Sequence, residues 1–494
     1  MQKILGIFII LISVFLLAGT SGHKSIIQKT DDIVQAEKKY DLFSGTILVA
    51  KDGKILYVKG IGEANKEYHI GNRLETRFNI SSIQKCFIAV LIMQLNEEGK
   101  ISLTDSLRKY FPECPYNSAD QIQIRHLLNH TSGLGDYRKS KDYQHQADTF
   151  RTIDDILPLV YQDQPVLTPG EKFRYSNTGM LFLKAIIQKV TGMGLGEALK
   201  KRIFDPLGMD QTVLLIGGDV LSNRATGYTL SKDLVKYRRV LEEPSGYAGG
   251  GIYTTVLDLL KFDQALYREQ LLGNESKNIM FTPVKPSRFY AYGWIVVPFA
   301  GTTVIYHGGM SGGFNSEFRR YPEKGYTIIV LSNYEQGAFE LANKIDSMLL
   351  GEEYSLAIEA ELYYRRGNFL HHRYKAYEAA YQVLLKALAP DLNKETNQRI
   401  KHRIEREINA IGYAYLAKKE YDMAIKIFES NVRHFPESVN VYDSLGDAYK
   451  KKGDRNLAIR NYKKALKVNP RQTDRQKERY NEISEKLKKL TNKK

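Results

Sequence analysis

The chain has 494 residues, of which 43% are hydrophobic and 26% charged, and a formal net charge of +16. One average domain cannot hold it, and this balance of apolar and charged residues excludes both a disordered chain and a polytopic membrane protein. Its two cysteines, Cys86 and Cys114, exclude a disulfide framework, and no Cys/His spacing suits a zinc ligand set, so neither a metal nor a cofactor is expected.

The first predicted element is an export segment. Lys3 precedes nineteen uncharged residues, Ile4–Gly22, whose apolar part gives way to small residues near Ala18. This pattern predicts a signal peptide over 1–22 and a protein of the periplasm or cell envelope. Nineteen uncharged residues can also just span a bilayer, so an uncleaved anchor is the alternative. Next, "SGTILVAKDGKILYVKGIG" alternates apolar and polar residues on either side of Asp52-Gly53, which predicts two strands joined by a two-residue turn.

The stretch "FNISSIQKCF", residues 78–87, carries the first chemical signal. Read locally, it is a capping box with Ser81 as N-cap and Gln84 three residues on. That reading leaves Lys85 unexplained. Residues 86–93 are continuously apolar, so the helix they form is expected to be buried all round, and a lysine in its first turn must reach solvent through a cleft or serve chemistry. Ser82 and Lys85, three apart, share one helical face. Burial disfavours the ammonium form, so Lys85 can accept the serine proton.

Beyond this helix the pattern is helical, with Gly- and Pro-rich loops, and "FRYSNTG" places Tyr175 and Asn177 about 90 residues after Ser82. From about 289 to 332 four short β-rich segments return, and "VIYHGGMSGG" puts His307, Gly308 and Met310 at the end of one of them. Gly309 to Gly313 also match G-x-S-x-G, but a nucleophile elbow needs a following helix, and "FNSEFRRYP" alternates like a strand. The predicted domain, 23–355, is α+β: an antiparallel sheet made from both of its ends, flanked by helices, with an all-helical insertion.

The ordered set S-x-x-K, Y-x-N, H-x-G resembles the penicillin-recognising serine hydrolases, and most closely the class C β-lactamase-related group of DD-peptidases, D-aminopeptidases and esterases. The stretches "IRHLLNHTSGL", "IFDPLGM", "GGGIYTTVLDLLKF" and "YGW" are similar to that group as well, so the resemblance spans roughly 30–350. It implies a β-lactamase/transpeptidase-like fold. It also implies that Ser82 is the acylated nucleophile, Lys85 and Tyr175 its proton-handling partners, and Asn177 a donor to the substrate amide. The backbone N–H groups of Ser82 and Met310, the latter just after His307-Gly308-Gly309, would bind the oxyanion. Lys85 is expected to lower the Tyr175 pKa, and which of the two takes the first proton stays open. Where β-lactamases of the group carry K-T-G, this chain has His307, which makes efficient drug hydrolysis doubtful and fits a peptidase or esterase better.

The remaining residues, 356–494, are predicted to be α-helical. Gly412, Tyr415, Ala424, Phe428 and Pro436 recur 34 residues later as Gly446, Tyr449, Ala458, Tyr462 and Pro470. This period resembles tetratricopeptide repeats, with flanking helices at 374–390 and 474–490 capping the stack. From residue 361 onward 31 Lys+Arg face 17 Asp+Glu, so the tail carries most of the net charge. No aromatic platform accompanies the charge run of the last helix, which reads as a solvated outer face rather than a nucleic-acid site; the repeats can take a protein or peptide partner, and the tail's charge can add attraction to an anionic envelope surface. Two function classes follow. One is an exported serine hydrolase taking a small-molecule or peptide acyl substrate; the other is a catalytically silent penicillin-binding-like domain serving with the repeats as a scaffold. The joint presence of Ser82, Lys85, Tyr175 and Asn177 favours the enzyme, because no structural need calls for all four.

Overall fold

The computed structural model describes residues 25–492 apart from 147–149, 151, 163, 216–218, 232–236, 241–250, 390–397 and 469–473. The export segment, the first glycines of "GGGIYTT" and Pro470 lie outside the described residues. No helix among the described residues is long and apolar enough to cross a membrane. The chain divides into two compact units, one ending at Leu356 and the other beginning at Ala357, with Leu230 belonging to the second.

A six-stranded antiparallel sheet organises the first unit. In chain order its strands are β1 (Gly45–Lys51), β2 (Lys54–Ile61), β3 (Ile295–Phe299), β4 (Thr302–Ser311), β5 (Phe314–Tyr321) and β6 (Tyr326–Ser332), and their spatial order is β3-β4-β5-β6-β1-β2. The two ends of the unit meet where β1 pairs with β6, Gly45 opposite Ser332 and Lys51 opposite Tyr326. Asp52 and Gly53 both have positive φ, +49° and +75°, as a type I′ turn between β1 and β2 requires.

The expected alternation fails on β1, whose residues 45–50 are buried on both faces. Ile47 and Val49 pack with Val34, Leu341 and Ile345, from the helices α1 (residues 25–39) and α5 (Ala338–Leu350). Leu48 and Ala50 face the opposite core, around α2 (Gln84–Glu97). The strand lies one place in from the sheet edge with helices on both sides, so neither face has solvent to keep polar residues for.

Every residue of α2 from Cys86 to Met93 is at most 1% exposed, as the unbroken apolar run implied. Large side chains buried this completely contribute about 1.5–3 kcal/mol each. Phe87 stacks on Phe262 of α4 (Val256–Tyr267) with ring centroids 4.1 Å apart. The insertion between β2 and β3 is chiefly helical, including α3 (Asn177–Thr191), and also carries a small sheet of Phe78–Asn79, Ile252–Thr254 and Val213–Leu214.

The second unit is helical: α6 (Glu359–Tyr374), α7 (Tyr377–Lys386), α8 (Gln398–Ala417), α9 (Tyr421–His434), α10 (Val439–Lys452), α11 (Arg455–Lys467) and α12 (Asp474–Thr491). The 34-residue period has a direct physical meaning. A Cβ on Gly412 would lie 2.5 Å from a ring carbon of Phe428, and one on Gly446 2.6 Å from the equivalent carbon of Tyr462. Each glycine is a notch that seats the aromatic ring of the next helix. On α12, Ile483 is fully buried against Tyr462 and Val441, which closes the stack.

Candidate active site

The capping box expected at Ser81 and Gln84 is not formed. Residues Ser81–Ile83 make a single 3-10 turn, and α2 begins only at Gln84. Ser81 sits at φ +48° and its backbone N–H donates to Asn79 Oδ1 at 2.8 Å, so Asn79 rather than a cap holds the turn. The tight turn leaves Ser82 at the mouth of the helix. Gly309 of β4 reaches it from the other side, where an added Cβ would lie 2.2 Å from the Ile80 carbonyl oxygen. The ladder between β3 and β4 ends at Tyr306, so among the described residues 307–311 pair only with β5 and present their other edge toward this turn.

Three side chains converge. Lys85 Nζ lies 3.0 Å from Ser82 Oγ, and the Tyr175 hydroxyl donates to the same oxygen at 3.1 Å. Asn177, at the first turn of α3, donates through Nδ2 to Asp136 Oδ2 at 2.8 Å, and Asp136 also accepts from Arg138. Lys85 is 3% exposed. Burial, aided by the nearby Arg138 guanidinium, brings its pKa from 10.5 down to about 7. The Tyr175 ring is 37% exposed, but its hydroxyl end points inward at Ser82, and burial pushes its pKa up to about 12. Contrary to the sequence expectation, the tyrosine is not lowered. Near neutrality it holds its proton, whereas Lys85, brought down to about 7, is available there as a free amine.

His307 is nearly enclosed. Its Nδ1 lies 2.6 Å from the Gly308 carbonyl and its Nε2 3.0 Å from the Tyr290 hydroxyl. A carbonyl oxygen only accepts, so Nδ1 carries the proton and Nε2 accepts from Tyr290. Burial and the positive charge of Lys85 bring its pKa down to about 3, so the imidazole is neutral at physiological pH. The ring therefore offers no charge to a substrate carboxylate. Met310, three residues on, is 60% exposed at the cleft. Ser311 is followed by Gly312 and Gly313 at φ +54° and +82° and then by β5, a hairpin with no helix behind it, which removes the nucleophile-elbow reading.

Sequence reasoning missed four neighbours. His130, from "NHTSG", is fully buried, accepts from the Ser176 N–H through Nδ1, and packs on Tyr175 and Tyr290. Asp136 and Arg138 hold Asn177 from behind. Lys184 on α3 is buried beside a small cavity lined also by Gln84, Lys85 and Asn177, and burial together with Lys85 brings its pKa down to about 7. The signal was available, since Lys184 interrupts the apolar stretch "MLFLKAII".

The Beta-lactamase family model matches residues 30–352, and a Tetratricopeptide repeat model matches residues 439–472. Penicillin-binding protein 4* of Bacillus subtilis (strain 168) is 32% identical over 340 residues, covering 64% of this chain and 74% of that protein. Teichoic acid D-alanine hydrolase of Staphylococcus aureus (strain MRSA252) is 29% identical over 299 residues, covering 59% and 70%. The crystal structure of a penicillin binding protein from Bacillus halodurans superposes with a TM-score of 0.58 at 28% identity, covering 64% of this chain and 98% of that one. With its antiparallel sheet, its helical flanks and its C-terminal repeats, the chain belongs to the beta-lactamase family of serine hydrolases.

Proposed function

We propose that the protein is an exported hydrolase that opens an amide or ester through an acyl-enzyme on Ser82. The observation that carries this reading is the convergence of Lys85 Nζ and the Tyr175 hydroxyl on Ser82 Oγ, at 3.0 and 3.1 Å, with the lysine held near neutrality. The free amine of Lys85 takes the Ser82 proton as Oγ attacks the acyl carbon. The backbone N–H groups of Ser82 and Met310 bind the oxyanion that forms. Tyr175, protonated and already in contact with Oγ, hands its proton to the leaving group and recovers one from Lys85. Water then repeats the sequence against the acyl-enzyme. Asp136 holds one hydrogen of the Asn177 amide, which turns the other toward the acyl group of the substrate.

A D-amino-acyl ester or peptide of the cell wall is the substrate class we favour. The relatives include a penicillin-binding protein and a teichoic acid D-alanine hydrolase. The neutral, enclosed His307 weakens attraction for the carboxylate of a β-lactam, which supports drug hydrolysis slower than ester or peptide turnover. Labelling with a fluorophosphonate or fluorescent penicillin, followed by mass spectrometry of the adduct, tests the nucleophile. Rates on D-alanyl esters, D-amino-acid peptides and a cephalosporin test the substrate class. An adduct on any residue other than Ser82, or cephalosporin turnover far above ester turnover, refutes the proposal. The repeats supply a protein- or peptide-binding surface, and their basic charge adds attraction to anionic wall polymers. That attraction weakens as salt screens it, so envelope retention unaffected by salt would remove the electrostatic part.

A further inference from the structure

The second unit contains a group of side chains that the hydrolase reaction does not use. His371 and His372 stand in the last turn of α6, and Glu407 lies midway along α8. His371 Nδ1 is 2.5 Å from Glu407 Oε1, and His372 Nε2 is 3.1 Å from the same oxygen. One ligand atom from each of the three residues falls within 4.8 Å of the others. We propose that His371, His372 and Glu407 bind a divalent transition-metal ion, zinc by the chemistry of the ligands, which ties α6 to α8.

Successive residues of a helix project about 100° apart, so two adjacent histidines do not ordinarily aim at one point. Here the difference in reach between the two ring nitrogens makes up for it. His371 uses the near nitrogen, Nδ1, and His372 the far one, Nε2, with the rings stacked at 4.3 Å. Neither ring has to leave the helix end. A tetrahedral ion about 2.0–2.1 Å from each ligand needs ligand atoms roughly 3.3 Å apart. The 3.1 Å pair already meets this, and the 2.5 Å pair must open by less than about 1 Å, the scale of a side-chain adjustment.

The surroundings fit an ion site as well. Asn368 donates to Glu407 Oε2 at 2.9 Å, which fixes the carboxylate and turns Oε1 toward both imidazoles, the orienting role that a residue behind a metal ligand takes. The side chains of His371 and Glu407 are 8% and 9% exposed, while that of His372 is 57% exposed. Two ligands are therefore held in place, and the third opens the site to solvent, leaving room for a water in the fourth position. Two neutral imidazoles and one carboxylate carry a single negative charge, and the C-terminal end of α6 adds partial negative charge from its carbonyls. Nitrogen donors select zinc, cobalt, nickel or copper over calcium and magnesium, which take oxygen. The sequence concealed the set because its two parts lie 36 residues apart on different helices and match no zinc-ligand spacing.

The test uses full-length protein without a histidine tag, stripped with a chelator and titrated with cobalt(II). Visible absorption reports tetrahedral coordination, and zinc then displaces the cobalt. His372→Ala removes the exposed ligand, and Glu407→Gln keeps the size and polarity of the buried one, so neither change empties the core. We expect one ion per chain, at least tenfold weaker binding in each variant, and unchanged ester turnover in both. The melting temperature should rise on adding zinc to the wild type and not to the variants, because an ion bound only by the folded chain stabilises it. Absence of saturable binding in the wild type, or wild-type affinity in either variant, overturns the site.

Discussion

The perturbation that reaches Lys85 most directly is pH. An ordinary lysine with a pKa of 10.5 presents its free amine in about one molecule in 3,000 at pH 7. With the pKa brought down to about 7, half of the molecules are competent, a gain of roughly 1,500-fold in available base before any change in geometry. The sign follows: acylation requires the deprotonated amine, so kcat/KM for a p-nitrophenyl ester rises with pH, is half-maximal near 7, and falls tenfold for each unit below about 6. At pH 5 it should be on the order of 100-fold below its plateau. His307 cannot supply this ionisation, because its pKa lies at about 3 and its ring is neutral across the whole range. His307→Gln should therefore lower the rate without moving the midpoint. The assay is initial-rate kinetics from pH 5 to 9 on the wild type and this variant. A profile flat from pH 5 to 8.5, or a midpoint near 7 that vanishes in His307→Gln, refutes the assignment of the base.

Ser82→Ala should abolish covalent labelling by fluorophosphonate while leaving the melting temperature within a degree or two, since among the described residues the hydroxyl it removes is hydrogen-bonded to Lys85 and Tyr175; labelling that moves to Ser311 counts against it. Tyr175→Phe and Lys85→Ala should each lower kcat by about two to four decades, and the double variant by little more, because both act on one oxygen; losses that add would mean separate roles. Lys184→Met tests the second buried lysine. Its folded pKa, about 7, lies below the unfolded value, so between pH 7 and 10.5 the unfolded chain binds more protons and wild-type stability rises with pH. Relative to the Met variant, the wild type should gain about 1–2 kcal/mol between pH 7 and 8.5, at 1.36 kcal/mol per proton per unit. Urea unfolding of both proteins at the two pH values measures the gain, and a difference independent of pH would mean that Lys184 is charged in the folded state.

Most of the fold was legible where a local pattern and its tertiary use coincide. Asp52-Gly53 needs no partner to form its turn, and the 34-residue period survives because each glycine notch and its aromatic ring recur together. The reaction centre was legible as spacing, since Ser82 and Lys85 share one turn of chain. What depended on distant partners was not. Ser81 looked like a cap, but Asn79 captured its N–H; Lys85 was expected to acidify Tyr175, but burial acts on both and moves them in opposite senses. The orientation of His307 depends on Tyr290, seventeen residues earlier in sequence, and the His371-His372-Glu407 group on the packing of two helices.

The approach of Gly309 to the carbonyl of Ile80 makes this hydrolase easy to silence without touching any reacting group. A carbon and a carbonyl oxygen rest at about 3.3–3.6 Å, whereas a methyl at position 309 begins at 2.2 Å. Either β4 or the turn bearing Ser82 must shift by roughly 1 Å, and misplacement on that scale costs on the order of 100-fold in rate. The sheet, the buried α2 and the repeats would remain. A single alanine at position 309 would thus slow acylation while every reacting side chain stays in the sequence, and an unchanged melt would distinguish that loss from unfolding.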